Sequence, residues 1–361
     1  MIEVRHLCLA LTWVLLAGVT CQAQGKRMVI IDEDTAGPPG SDNLGTPLLL
    51  IQSPQTKVLG ITVPTGDQWR DEEVEHALRM LEIIGRTDIP VVPGAVRPLV
   101  RRREETKLWE QQYGKVVWKG AWNDSTYHAS DVIPPMPEGK PAAKPAKEDA
   151  AHFLVRMVRR YPHQVTIFEG GPMTNLALAI SIDPEFPKLA KELVFMGGSL
   201  NPQTDNPEFA NAPRHEFNLW FDPEAAHIVL TAPWPKIVCT PVDISIKTEL
   251  SRGLIDKIAR SDNPAARYMS EYFRPGKYNY MWDELAAAAW LEPGLITREE
   301  VRYMDVDLSR GAQYGNTLTW TDQDKPQTEL QKVHIQLDLN SAKFYELYTR
   351  LMTSPTPRQA P

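Results

Sequence analysis

Residues 32–43 read DEDTAGPPGSDN and place Asp32, Glu33, Asp34, Asp42 and the amide of Asn43 in one turn-rich segment behind the apolar run RMVIID. Oxygen donors at that density suit a hard cation, because calcium takes carboxylate and carbonyl ligands in a flexible shell. The same residues also suit a plain turn, since Asp, Gly and Pro close turns after strands. Further polar clusters follow: TGDQW (65–69) with Asp67, EGGPMTN (169–175) with Glu169, and GGSLNP (197–202). HEFNLWFDPEAAH (215–227) carries Glu216 and Asn218, and YMWDELAAAAW (280–290) carries Trp282 and Asp283. Asp34, Asp42, Asn43 and Asp283 would make a calcium shell if the fold gathers them, although Asp283 also suits the cap of an Ala-rich helix. There is no CxxC, HExxH, GxGxxG or P-loop, so zinc proteolysis and nucleotide phosphate binding have no motif behind them.

The elements that must position these residues alternate. RMVIID, KVLGITV, IPVVPG, QVTIFEGG, ELVFMGG and KIVCTPVDI read as strands. DEEVEHALRMLEIIG, EDAAHFLVRMVRRYP and TNLALAISI have helical spacing, and 247–293 is helix-rich before a last strand, KVHIQLDL, and a last helix. The pattern predicts an α/β fold, an open and mostly parallel sheet flanked by helices. In such sheets ligands bind outside the carboxyl ends of the strands, where the polar clusters fall. Residues 100–130 are charged and aromatic, with RRREE read as a solvated run and Trp109, Trp118 and Trp122 as either ligand-stacking or packing residues. The Pro-rich stretch 132–147 reads as a surface loop.

Composition bounds the rest. The 361 residues are 42% hydrophobic and 24% charged, ordinary values for a globular chain. A net charge of −7 argues against nucleic acid as the partner, though not against small nucleosides. The apolar run LCLALTWVLLAGV is too short for a membrane span and the right length for a signal-peptide core. Residues 1–24 are therefore expected to be a signal peptide cut near Ala23, giving an exported, periplasmic or secreted protein. Lipid attachment at Cys21 is the less favoured reading, because Gly18 and Thr20 fit its pattern poorly. Cleavage would leave Cys239, read as a buried strand thiol. One domain is expected over 25–350, followed by a disordered tail over 351–361.

Taken together, the clusters resemble the inosine–uridine-preferring nucleoside hydrolases. GITVPTGD with HALRMLEIIGRTDIPVVPGAVRPL, then GGPMTNLALAISIDPE, ELVFMGGS, EFNLWFDPEAAHIVL and MWDELAAAAWLEPGLIT follow in that family's order, and the resemblance spans roughly residues 28–345. It implies a nucleoside hydrolase-like fold, calcium as cofactor, a small nucleoside or riboside as partner, and a homo-oligomer, since members commonly form dimers or tetramers. Position by position, it makes Asp34 a calcium ligand and the base for the attacking water. Asp42, Asn43, the backbone carbonyl of Glu169, and Asp283 complete the metal set. Asp32, Asp42, Asp67, Asn211, Glu216 and Asn218 fall on or near ribose-contacting positions. Trp282 stands where many members carry a leaving-group His.

Other departures are a first turn four residues longer than the family's, Asn43 in place of a carboxylate, and no His-Gly stretch in 114–131. The expected function is calcium-dependent hydrolysis of an N-ribosidic bond. A non-catalytic nucleoside or sugar binder on the same fold is the alternative.

Overall fold

The computed structural model describes residues 25–38 and 43–358. The expected signal segment and Asp42 lie outside the described residues. Among those described, one sheet contains β1 (Arg27–Asp32), β2 (Thr56–Val63), β3 (Val91–Pro93), β4 (Val165–Glu169), β5 (Glu192–Met196), β6 (Ile237–Thr240), β7 (Ile296–Val306), β8 (Thr317–Trp320) and β9 (Lys332–Leu339). Their order across the sheet is β3-β2-β1-β4-β5-β6-β9-β7-β8. The pairs from β3 to β9 are parallel, and β7 runs antiparallel to both β9 and β8.

Strand β1 shows why its sequence is continuously apolar. Val29 and Ile31 join the core on one face, Ile30 joins the core on the other, and all three are fully buried. A strand covered by helices on both sides needs apolar residues at every position. Helices Gly45–Gln52, Arg70–Ile83, Trp282–Leu291 and Ser341–Thr353 contribute to the first core. Helices Ala150–Arg160, Thr174–Ile182 and Pro223–Thr231 contribute to the second.

The chain runs outward from β1 to β2 and β3, then returns to lay β4 on the other side of β1. That reversal opens a crevice at the carboxyl ends of β1 and β4, the usual ligand position in such sheets. Asp32 pairs in register with Glu169 across it. A third cluster, Trp69, Ala121, Trp122, Phe217, Trp220 and Phe221, packs apart from the two main cores.

Three features differ from the sequence reading. The antiparallel strands β7 and β8 were not foreseen; the Arg- and Glu-rich start of β7 lacks the apolar alternation that marks a strand. Arg101, read as part of a solvated run, is 2% exposed and its guanidinium lies over the rings of Tyr314 (4.1 Å) and Trp220 (4.6 Å). A planar guanidinium stacks on aromatic faces more readily than it pairs with water there. The last helix extends to Thr353, into the segment expected as a tail, and Arg86 Nη1 donates to Pro357 O at 3.0 Å. Cys239 is buried in β6, and no helix among the described residues is long and apolar enough to cross a membrane.

Candidate active site

The crevice opens into a cavity of about 380 Å³. Asp34, Asn43, Asp67, Glu216, Asn218, Trp282 and Asp283 line it, so seven positions singled out in the sequence meet in one place. Asp32 and Glu169 are fully buried and do not line it. Asn211 is exposed at the end of helix Pro207–Asn211 and is also absent from the wall.

Asp34 leaves β1 two residues after Asp32 and is held at both oxygens. Its Oδ2 accepts from the Asp67 backbone N–H at 2.9 Å, and its Oδ1 accepts from Asn43 Nδ2 at 3.1 Å. The same amide donates to Asp67 Oδ2 at 3.2 Å, so Asn43 bridges two carboxylates. Asp67 Oδ1 accepts from Trp118 Nε1 at 2.6 Å, which ties one of the three flagged tryptophans to the site. Trp109 donates to Gly311 O, and Trp122 stacks against Phe221. The backbone fits these carboxylates closely: a Cβ on Gly66 would lie 2.0 Å from Asp34 Oδ2, and one on Gly170 would lie 2.1 Å from Glu33 Oε2.

Glu216 caps helix Phe217–Phe221. Its Oε1 accepts from Asn218 N at 2.8 Å, and its Oε2 from Gly198 N at 2.9 Å and Leu219 N at 3.1 Å. Asn218 Nδ2 in turn donates to Gly170 O (3.0 Å) and Met196 O (3.3 Å), joining the cap to the ends of β4 and β5. Beneath the cavity, Asp32 Oδ1 accepts from Asn175 Nδ2 at 2.7 Å and Glu169 Oε1 from Gly171 N at 3.0 Å.

Burial drives these carboxyls upward. Asp32 is pushed to about 7 and Asp67 to about 6 by burial. Asp34 is raised well above its ordinary value by burial and then by Asp67. Asp283 is raised by burial and then by Asp34, and Glu33 by burial and then by Asp283. Buried oxygens of one sign with such shifts lack a counter-charge, which a divalent cation supplies. Two further observations fit a hard cation. Asp283 Oδ1 and both carboxylate oxygens of Glu33 are buried without hydrogen-bond partners among the described residues, and the donors around them are oxygens. No group of three or more His, Cys, Asp or Glu side chains among the described residues stands in a ligating arrangement.

Glu208 and Asn206 escaped the sequence reading, and Glu33, noted there among the acids of the first turn, received no role of its own. Asn206 and Glu208 both line the cavity, and Asn206 Oδ1 caps the helix by accepting from Glu208 N at 3.1 Å. The signal was an Asn-Pro start of a short helix, overlooked beside Asn211, which lies nearer Glu216 in sequence. His215 is buried against Trp220 and is not part of the wall; burial holds its pKa down at about 3.

The fold and this oxygen-lined crevice define an α/β protein with a small-molecule site at the switch point of its sheet. Residues 29–346 match the family described as inosine-uridine preferring nucleoside hydrolase, and the chain belongs to it. It is a hydrolase acting on N-glycosyl bonds. The pyrimidine-specific ribonucleoside hydrolase RihA of Photobacterium profundum is 31% identical over 75% of this chain and 82% of its own length. A solved plant nucleoside hydrolase, PpNRh1, has a TM-score of 0.71 at 23% identity, covering 91% of this chain and 99% of that one. A solved purine-preferring ribonucleoside hydrolase from Gardnerella vaginalis has a TM-score of 0.69 at 19% identity, covering 91% and 98%.

Proposed function

We propose that the protein hydrolyses the N-glycosidic bond of ribonucleosides, with calcium held at the end of β1. The observation that carries this reading is the meeting of Asp34, Asp67, Glu216, Asn218 and Asp283 on one cavity, whose volume lies within the range of small-molecule sites. Asp34 and Asp283 would hold the ion, with Asn43, the Glu169 carbonyl and Asp42 as the further oxygens that the family resemblance suggests. When bound, the ion would orient the sugar hydroxyls and make water a better nucleophile.

The chain's own residues supply the remainder. Asp34, fixed by the Asp67 N–H and the Asn43 amide, points a carboxylate into the cavity and takes the proton of the attacking water. Asp67, Glu216 and Asn218 receive the ribose hydroxyls. Loss of the base builds positive charge on the sugar, and the surrounding carboxylates stabilise it. Trp282 packs edge-on to Phe209 (5.7 Å) and Tyr280 (4.9 Å), a rigid aromatic wall for a flat base. Its indole N–H is no acid near neutral pH, so Trp282 holds the base and another group protonates it.

The test is release of free base and ribose from a panel of purine and pyrimidine nucleosides, with and without a calcium chelator. Cleavage that stops on chelation and returns with calcium supports the reading; turnover unaffected by chelation overturns the calcium assignment. Export with cleavage near Ala23 belongs to the same proposal, as does a homo-oligomer. Mass spectrometry of the mature N-terminus and light scattering check them, and an intact Met1 or a monomer would contradict each in turn.

A further inference from the structure

The leaving base needs a proton, and Trp282 cannot give it. Helix Pro207–Asn211 brings a carboxyl to the same cavity wall: Glu208, in its first turn, lines the space together with Phe209, Trp282 and Asp34. Phe209 packs on Trp282, so the helix that carries Glu208 sits beside the aromatic wall assigned to the base. Asn206 fixes the local backbone through the cap on Glu208 N, and the half-buried Glu208 side chain borders the cavity.

We propose that Glu208 is the general acid that protonates the departing base. This rests on the reading of the protein as a ribonucleoside hydrolase. As the C–N bond breaks, its electron pair goes to the base, and the Glu208 carboxyl proton passes to a base nitrogen. Water's oxygen bonds to the sugar carbon and its proton goes to Asp34. Base and ribose leave, and solvent returns the proton from Asp34 to Glu208.

The surroundings keep that carboxyl protonated near neutral pH. Burial, then the negative charges of Glu216 and Asp67, push it up to about 8. Lys277 also lines this cavity, and its Nζ is engaged there, donating to Tyr278 Oη at 2.5 Å and lying 3.9 Å from Asp205. An acid near the operating pH is the one that serves proton transfer best.

The test compares Glu208→Gln with wild type on inosine, uridine and a p-nitrophenyl riboside, whose leaving group departs without protonation. The proposal expects kcat for the best nucleoside to fall about 10²–10⁴-fold, with the nitrophenyl riboside changed by less than about threefold. It also expects the alkaline limb of the nucleoside kcat profile, near pH 8, to vanish in Glu208→Gln. Equal losses on both substrate types, or an unchanged alkaline limb, overturn the role. No cleavage of any substrate by wild type would instead overturn the hydrolase reading on which the role rests.

Discussion

Asn43 is the residue at which the site departs most clearly from an all-carboxylate ring, and its geometry gives the departure a function. Its Nδ2 donates to Asp34 Oδ1 and O and to Asp67 Oδ2, so one neutral amide holds two like-charged groups together. A carboxylate there would lose all three bonds and face both anions, a cost that a bound cation offsets. Asn43→Asp is therefore expected to lower the melting temperature of calcium-free protein and to widen the increment that calcium adds. Calorimetry with and without calcium measures both, and an increment equal to or smaller than that of wild type would count against the ion site. At this scale the sequence picked out positions that the fold brings onto one cavity, Asp34, Asp67, Glu216 and Asp283 among them. It failed at Asn211, because the intervening short helix turns that side chain outward and delivers Asn206 and Glu208 instead.

The elements that carry the site fit at close quarters, and the glycines mark where. The loop after β2 passes Asp34 so closely that a Cβ at Gly66 would meet Asp34 Oδ2 at 2.0 Å and Asp34 Cβ at 2.6 Å. Gly66→Ala should displace the Asp34 carboxylate by a good fraction of an ångström and lower kcat about 10²-fold while the fold survives, since a misplaced group costs that much in rate. Steady-state kinetics beside a circular-dichroism melt checks it, and full activity would show that Asp34 is not held as described. Strands β1 to β6 were legible because strands buried on both faces are written as unbroken apolar runs. Strand β7 was not, because its first residues, Ile296 to Glu300, are mostly exposed and charged. Arg101 misled for the reverse reason: its charge reads as surface, yet Trp220 and Tyr314 enclose it.

Over the whole molecule, the switch in strand order between β1 and β4 is what turns scattered acids into one site, and stability should carry a trace of the groups buried to build it. His215 is held at about 3, against 6.5 for an ordinary histidine, by burial and then by Arg101. Its folded pKa is depressed, so its contribution is complete above pH 6.5 and is lost as pH falls toward 3, where the unfolded chain takes the proton first. The shift corresponds to about 5 kcal/mol at the acid end. His215→Phe, which keeps a ring against Trp220 without a titrating nitrogen, should therefore lose less stability than wild type between pH 6.5 and 3. Urea melts across that window decide it, and parallel curves would contradict the buried neutral ring. The alternation of strands and helices in the sequence conveyed the parallel sheet and the place of the crevice, but not the antiparallel edge, which does not line the cavity.

The central claim is that Asp34 at the end of β1 drives hydrolysis of an N-ribosidic bond. The direct measurement is ribose release from the best nucleoside by wild type and by Asp34→Asn, two proteins matched in melting temperature and supplied with calcium. The account predicts measurable turnover by wild type and a fall of about 10²–10⁴-fold in kcat for the variant. Equal rates in the two proteins would contradict it.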